Sequence, residues 1–172
     1  MLQETKDLSQ MHDVKRLRKK AVAYAIVNGS AQYNQIKGLV LFIKADNGTL
    51  IISDISGLPA YAPGDENIQP IGPFGFHIHD GGDCSPYSGD TPFSCAEGHY
   101  NPGNQPHGNH AGDLPVLFSN NGYSYMSFFT NKFKPDQVIG KTVIIHINPD
   151  DYRTQPAGNS GKRIACGVIK KT

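Results

Sequence analysis

The sequence predicts a single all-β domain built from about eight short strands, enough for a flattened barrel or sandwich. Its apolar stretches are brief, alternate with polar residues and are rich in Val, Ile, Phe and Tyr, the period of a half-buried strand rather than of a helix. With 19 Gly and 12 Pro among 172 residues, turns punctuate the chain throughout. The length suits one domain with a real core, since domains commonly run to about 100–200 residues. A formal net charge of +1 provides no basic stripe to neutralise phosphates, so nucleic acid is not an expected partner. No apolar run approaches the roughly twenty residues that span a bilayer as a helix.

The elements follow in order. Residues Met1 to Lys20 are polar and end in the run Lys15, Arg16, Leu17, Arg18, Lys19, Lys20. A secretory leader carries its apolar stretch after its charges, whereas here the charges come last. The expectation is therefore either a cytosolic protein or a mature form whose leader has been removed. The basic run reads as a solvated tail, with a surface-binding anchor as the alternative, and the folded domain is expected over 21–172. Ala21 to Val27 is a strand that closes at Asn28, Gly29 and Ser30. Ile36 to Ala45 turns at Asp46, Asn47 and Gly48 into Thr49 to Ile55, because Asn-Gly supplies the left-handed backbone of a tight hairpin. Gly75 to His79 is the next strand. Asp80 to Gly112 has no strand pattern, and a loop of that size in a compact domain is usually functional. Leu114 to Phe118, Tyr123 to Thr130, Val143 to Ile147 and Ala165 to Ile169 supply the remaining strands.

The histidines carry the chemistry. Six of seven lie between His77 and His146, and only His12 falls outside. His77 and His79 sit two apart in a strand, so both side chains leave one face while Phe76 and Ile78 leave the other. Alone, H-x-H is a weak signal, shared with cupins and zinc hydrolases. Cupins follow it with a glutamate where this chain has Asp83, and the metallo-β-lactamase pattern wants a histidine where it has Cys84. His107, His110 and Asp113 recur at intervals of three in a loop rich in Gly and Pro, where buried core histidines are not expected because loops run over the surface. A solvated polar loop is the bland alternative. Imidazole suits copper and zinc alike, and a carboxylate added to three histidines suits zinc. Such a zinc site closes only if His99 joins it, and His99 would then serve two metals.

Taken together, Gly75, Phe76, His77, Ile78, His79, then Gly98, His99, Tyr100, Asn101, Pro102, then His110, Ala111, Gly112, Asp113, Leu114, Pro115, and finally Arg163 to Ile169 resemble the copper/zinc superoxide dismutase family, over about Ala21 to Ile169. The resemblance implies an eight-stranded Greek-key β-barrel with long metal-binding and electrostatic loops. It implies copper held by His77, His79, His99 and His146, and zinc held by His99, His107, His110 and Asp113. Asp150 matches the family's aspartate that hydrogen-bonds one ligand of each metal and so orients both. Arg163 matches its anion-guiding arginine, and Lys162 beside it reads as incidental. The implied reaction is dismutation of superoxide to dioxygen and hydrogen peroxide by redox cycling of copper, with His99 carrying one of the protons. Superoxide is the implied partner, and a homodimer is compatible with the family.

The resemblance also implies a disulfide between Cys84, seven residues after His77, and Cys166, leaving over Cys95, which reads as a buried free thiol with a competing partner for Cys166 or a reactive site as alternatives. Such a bond needs an oxidising compartment, which favours the trimmed form and an extracytoplasmic protein, periplasmic, secreted or at the cell surface. Two departures stand out. Only Gly108 and Asn109 separate His107 from His110, so the zinc loop must turn tightly. The loop from Asp151 to Lys162 is short and lacks the acidic and lysine residues with which animal enzymes shape the field. The alternative function is a non-catalytic relative that binds copper or zinc without turnover; such relatives usually lose a copper histidine or the arginine, and this chain keeps them. A zinc hydrolase built on H-x-H would need a general base, and no spare glutamate accompanies the histidines.

Overall fold

The structure is a computed structural model that describes residues 16–85 and 91–172. Seven antiparallel strands form one curled sheet: β1 (Ala21–Gly29), β2 (Lys37–Ala45), β3 (Gly48–Ser56), β4 (Phe76–His79), β5 (Ser124–Thr130), β6 (Thr142–His146) and β7 (Arg163–Lys171). Their order is β4-β6-β7-β1-β2-β3-β5. The β2–β3 hairpin pairs Ala45 with Gly48 across Asp46 and Asn47, as the Asn-Gly signal predicts. Among the described residues no helix is long and apolar enough to cross a membrane.

The expected strand from Leu114 to Phe118 is the main local difference. It runs alongside β4 and the residues before it without forming a ladder: Leu117 makes an isolated bridge with Phe74, and the Leu114 N–H reaches the Phe76 carbonyl at 3.3 Å. Pro115 has no N–H to give to a ladder, so continuous pairing fails there. Of the basic run, Arg16 to Lys20 are described, and they are not wholly solvated. Lys20 closes a turn onto the Leu17 carbonyl at 2.9 Å, Leu17 packs on a small cluster of Ala21, Leu41, Ile43 and Ile52, and Arg18 lies over the Tyr24 ring. The first fifteen residues of the expected tail lie outside the described residues.

The main core sits inside the curl. Alternate residues of β1, β2 and β3 point inward: Ala23, Ala25, Val27, Val40, Phe42, Ile51 and Ile55 are buried there with Phe74, Phe76, Ile78, Val143 and Ile145. Burying one such aromatic or aliphatic side chain contributes about 1.5–3 kcal/mol. β4 is buried on both faces. Phe76 and Ile78 enter the core, and by the same alternation His77 and His79 leave the opposite face, into the loops.

Candidate metal centre

Backbone bonds clip the long loop onto β4. Tyr100 donates to the Ile78 carbonyl at 2.8 Å, Ile78 to Gly112 at 2.9 Å, and Gly112 to Tyr100 at 2.8 Å. Position 112 has room for nothing but hydrogen: a Cβ there would lie 2.3 Å from the Ile78 oxygen. This strapping sets His99 beside His79 and Asp113 beside His77. The Cys84–Cys166 disulfide, with Cα atoms 5.8 Å apart, ties the same loop to β7. β6 delivers His146 at its C-terminal end, its N–H bonded to the Gly75 carbonyl at 2.8 Å.

The seven expected ligands fall into two groups, each with one donor atom per residue and all donors within 4.8 Å of one another: His77, His79, His99 and His146, and His99, His107, His110 and Asp113. His99 belongs to both. The tightening expected of the short zinc loop is present: Gly108 takes φ +88°, and Asp113 Oδ2 accepts from the Gly108 and His110 N–H groups, each at 2.9 Å.

Four of the imidazoles have one nitrogen assigned by a neighbouring acceptor. His79 Nδ1 lies 2.8 Å from the Glu97 carbonyl and His146 Nδ1 3.1 Å from that of Gly161, contacts that only N–H can satisfy. Their Nε2 atoms are thereby left as lone-pair donors, and they face one another at 3.3 Å. Asp150 does the same for the other two, accepting from His77 Nε2 at 2.7 Å with one oxygen and from His107 Nε2 at 2.8 Å with the other. The remaining atoms, His77 Nδ1, His99 Nε2, His107 Nδ1 and His110 Nδ1, are buried without a hydrogen-bond partner. Buried polar atoms are rarely left so, and four orphaned nitrogens aimed into two clusters fit bound metal ions. Toward the second cluster, Asp113 Oδ1 lies 2.9 Å from His99 Nδ1 and 3.3 Å from His110 Nδ1.

Protonation favours ligation. Burial, followed by the neighbouring charges of His146 and His99, pushes His77 and His79 well below the usual histidine range. Burial brings His146 down to about 3 and also lowers His110. For Asp113, burial acts upward, but the His99 hydrogen bond and the charges of His107 and His110 outweigh it and hold the carboxyl below its usual value. Neutral imidazoles and one ionised carboxylate are the forms that bind metals.

Arg163 opens β7, half-buried, with Nη1 donating to the Phe93 carbonyl at 2.6 Å and Nη2 to that of Glu97. It pairs with His146 across β6 and β7, which sets it beside the first cluster, where its charge helps lower His79 and His146. Other residues of the centre escaped the sequence reading. Gln155, Tyr152 and Gly158 all touch the zinc-side loop, from a segment about 40–50 positions further along the chain. No local pattern marks them, because their significance lies in a partner that only folding supplies.

A β-barrel that carries a four-nitrogen group and a three-nitrogen, one-carboxylate group joined through a single imidazole defines a protein built for one copper and one zinc. The family model described as copper/zinc superoxide dismutase (SODC) matches residues 36–169, and the chain belongs to that family. It is 36% identical over 156 residues to "Superoxide dismutase [Cu-Zn]" of Deinococcus radiodurans, covering 81% of this chain and 80% of that protein. A protein of the same name from Legionella pneumophila is 38% identical over 141 residues, 77% of each chain. Among solved structures, the Cu/Zn superoxide dismutase from Brucella abortus superposes with a TM-score of 0.69 at 26% identity, covering 86% of this chain and 99% of that one.

Proposed function

We propose that this protein dismutates superoxide to dioxygen and hydrogen peroxide, with copper held by His77, His79, His99 and His146, and zinc by His99, His107, His110 and Asp113. The observation that carries the assignment is His99. Its ring belongs to both donor groups, with Nδ1 against Asp113 and Nε2 buried and unpartnered, so one imidazole could offer a nitrogen to each metal.

When bound, copper would supply one-electron redox chemistry, the net reaction converting two superoxide anions and two protons into one dioxygen and one hydrogen peroxide. The protein supplies the rest. Arg163, fixed by two carbonyls, presents a planar cation beside the copper group and attracts and orients a small anion. Asp150 holds one ligand of each metal in a single tautomer, which is how a neighbouring carboxylate commonly orients ligand rings. His99 Nε2, buried and without a hydrogen-bond partner, would hand one of the two protons to the departing peroxide, the other coming from solvent. The disulfide and the bacterial relatives support an extracytoplasmic setting, where such bonds persist.

Metal analysis of the purified protein, with a dismutation assay before and after copper loading, tests the reading. Near-stoichiometric copper and zinc with activity that appears on copper loading is the expected result. A fully loaded protein without turnover would instead identify a metal carrier.

A further inference from the structure

We propose that the turn at residues 151–158 is a clamp that holds the shortened zinc loop in its ligating shape, with Gln155 and Tyr152 as positioning residues for zinc. The inference rests on the zinc assignment above and adds residues that do not themselves touch metal.

The turn is rigid from within. Asp151 Oδ1 accepts from the Arg153 and Thr154 N–H groups, each at 2.8 Å, and Oδ2 from the Thr154 hydroxyl at 2.6 Å. Its two ends are joined by Asp151 N–H to the Gly158 carbonyl at 3.0 Å and Gly158 N–H to Thr154 at 2.7 Å. From this frame the Gln155 amide grips the backbone of His107 on both sides, Oε1 accepting from the His107 N–H at 2.8 Å and Nε2 donating to the His107 carbonyl at 3.2 Å. Tyr152 grips the chain just beyond the last ligand: its hydroxyl donates to the Leu114 carbonyl at 3.0 Å and accepts from the Val116 N–H at 2.9 Å. The Tyr152 carbonyl also lies against Gly108, where a Cβ would come within 2.3 Å.

Those contacts fall at the two ends of the zinc-only ligand set, His107 and Asp113. Between His107 and His110 stand only Gly108 and Asn109, and Asp113 Oδ2 is bonded to the N–H groups of Gly108 and His110. A connection so short has no slack, so a displacement of the His107 backbone is passed directly to His110 and Asp113. In a longer loop the intervening residues would absorb it. The clamp therefore acts on zinc affinity and leaves His77, His79 and His146 to β4 and β6.

The test uses the full chain as Gln155→Ala and Tyr152→Phe. Zinc release is timed against a chromophoric chelator, the visible spectrum of cobalt(II) at the zinc position reports ligand geometry, and unfolding is measured with and without metal. The expected result is zinc released about tenfold faster or more, the usual effect of removing a group that orients ligands, with an altered cobalt spectrum and unchanged unfolding of the metal-free protein. Gln155→Glu, which keeps the acceptor and loses the donor, should fall between parent and Gln155→Ala. Zinc release and cobalt spectra matching the parent in both variants would overturn the proposal. So would equal destabilisation of the metal-free and zinc-loaded forms, because the two residues would then be merely structural. His107→Ala separates the two readings: if it too leaves zinc release unchanged, the ligand assignment fails rather than the clamp.

Discussion

Gly158→Ala is a severe test of the centre, because the structure states what the added methyl would meet. A Cβ at position 158 would lie 1.8 Å from Asp150 Oδ1 and 2.4 Å from His107 Nε2. Ordinary contact needs about 3.5 Å, so the carboxylate must retreat by roughly 1.5 Å. That oxygen accepts from His107 Nε2 at 2.8 Å and the Tyr152 N–H at 2.7 Å, and neither bond survives such a shift. Loss of one hydrogen bond to a buried charge costs about 1.5–3 kcal/mol, and a left-handed backbone, φ +65° here, adds about 1–2 kcal/mol for any residue with a Cβ. With partial relaxation the total is about 4 kcal/mol, or on the order of 10 °C in Tm for a chain of this size. Gly140→Ala is the control: its φ is +85° and nothing lies within 4 Å of the added atom, so it carries the backbone cost alone. Denaturant unfolding of both variants in the metal-free state, together with chelator-driven zinc release, gives the measurement. Equal costs for the two substitutions would refute the claim that Gly158 is kept bare to let Asp150 reach His107.

Three further outcomes follow from the same geometry. His146→Ala should abolish dismutation and copper binding while zinc content stays near one equivalent, since His146 belongs to the first cluster only; loss of both metals by metal analysis would contradict the assignment. Arg163→Ala should lower the second-order rate with superoxide about tenfold or more and flatten its salt dependence, because steering contributes about 10 to 10³ to on-rates, and an unchanged rate at low salt would show that the guanidinium only braces the Phe93 and Glu97 carbonyls. Thiol counting on denatured, unreduced protein should find one free thiol, Cys95, whereas Cys84→Ser should cost about 4–5 kcal/mol of stability, from a closure spanning 82 residues; three free thiols in protein isolated without reductant would sink the bond.

Much of this protein was already legible in its sequence. Alternation of apolar residues marked β1, β2 and β3, and Asn47-Gly48 marked their hairpin, because both signals come from residues adjacent in the chain. The same alternation placed His77 and His79 on the face opposite Phe76 and Ile78, and in the structure Phe76 and Ile78 join the core while His77 and His79 share one donor group. The ligand types, and the copper and zinc they suit, were likewise readable from imidazole and carboxylate chemistry at short spacings. Tertiary structure decided what happens across distance. It replaced the expected strand at 114–118 with one isolated bridge, Leu117 to Phe74, since Pro115 can be weighed only against a particular partner strand. It brought Asp150 between His77 and His107, set the 151–158 turn against the zinc loop, and made Gly158 a position where no side chain fits. Each of these depends on groups dozens of residues apart meeting within about 3 Å, the reach of a hydrogen bond. Periodicity records which face of an element is buried; the partner on that face is selected only when the loops close over the sheet.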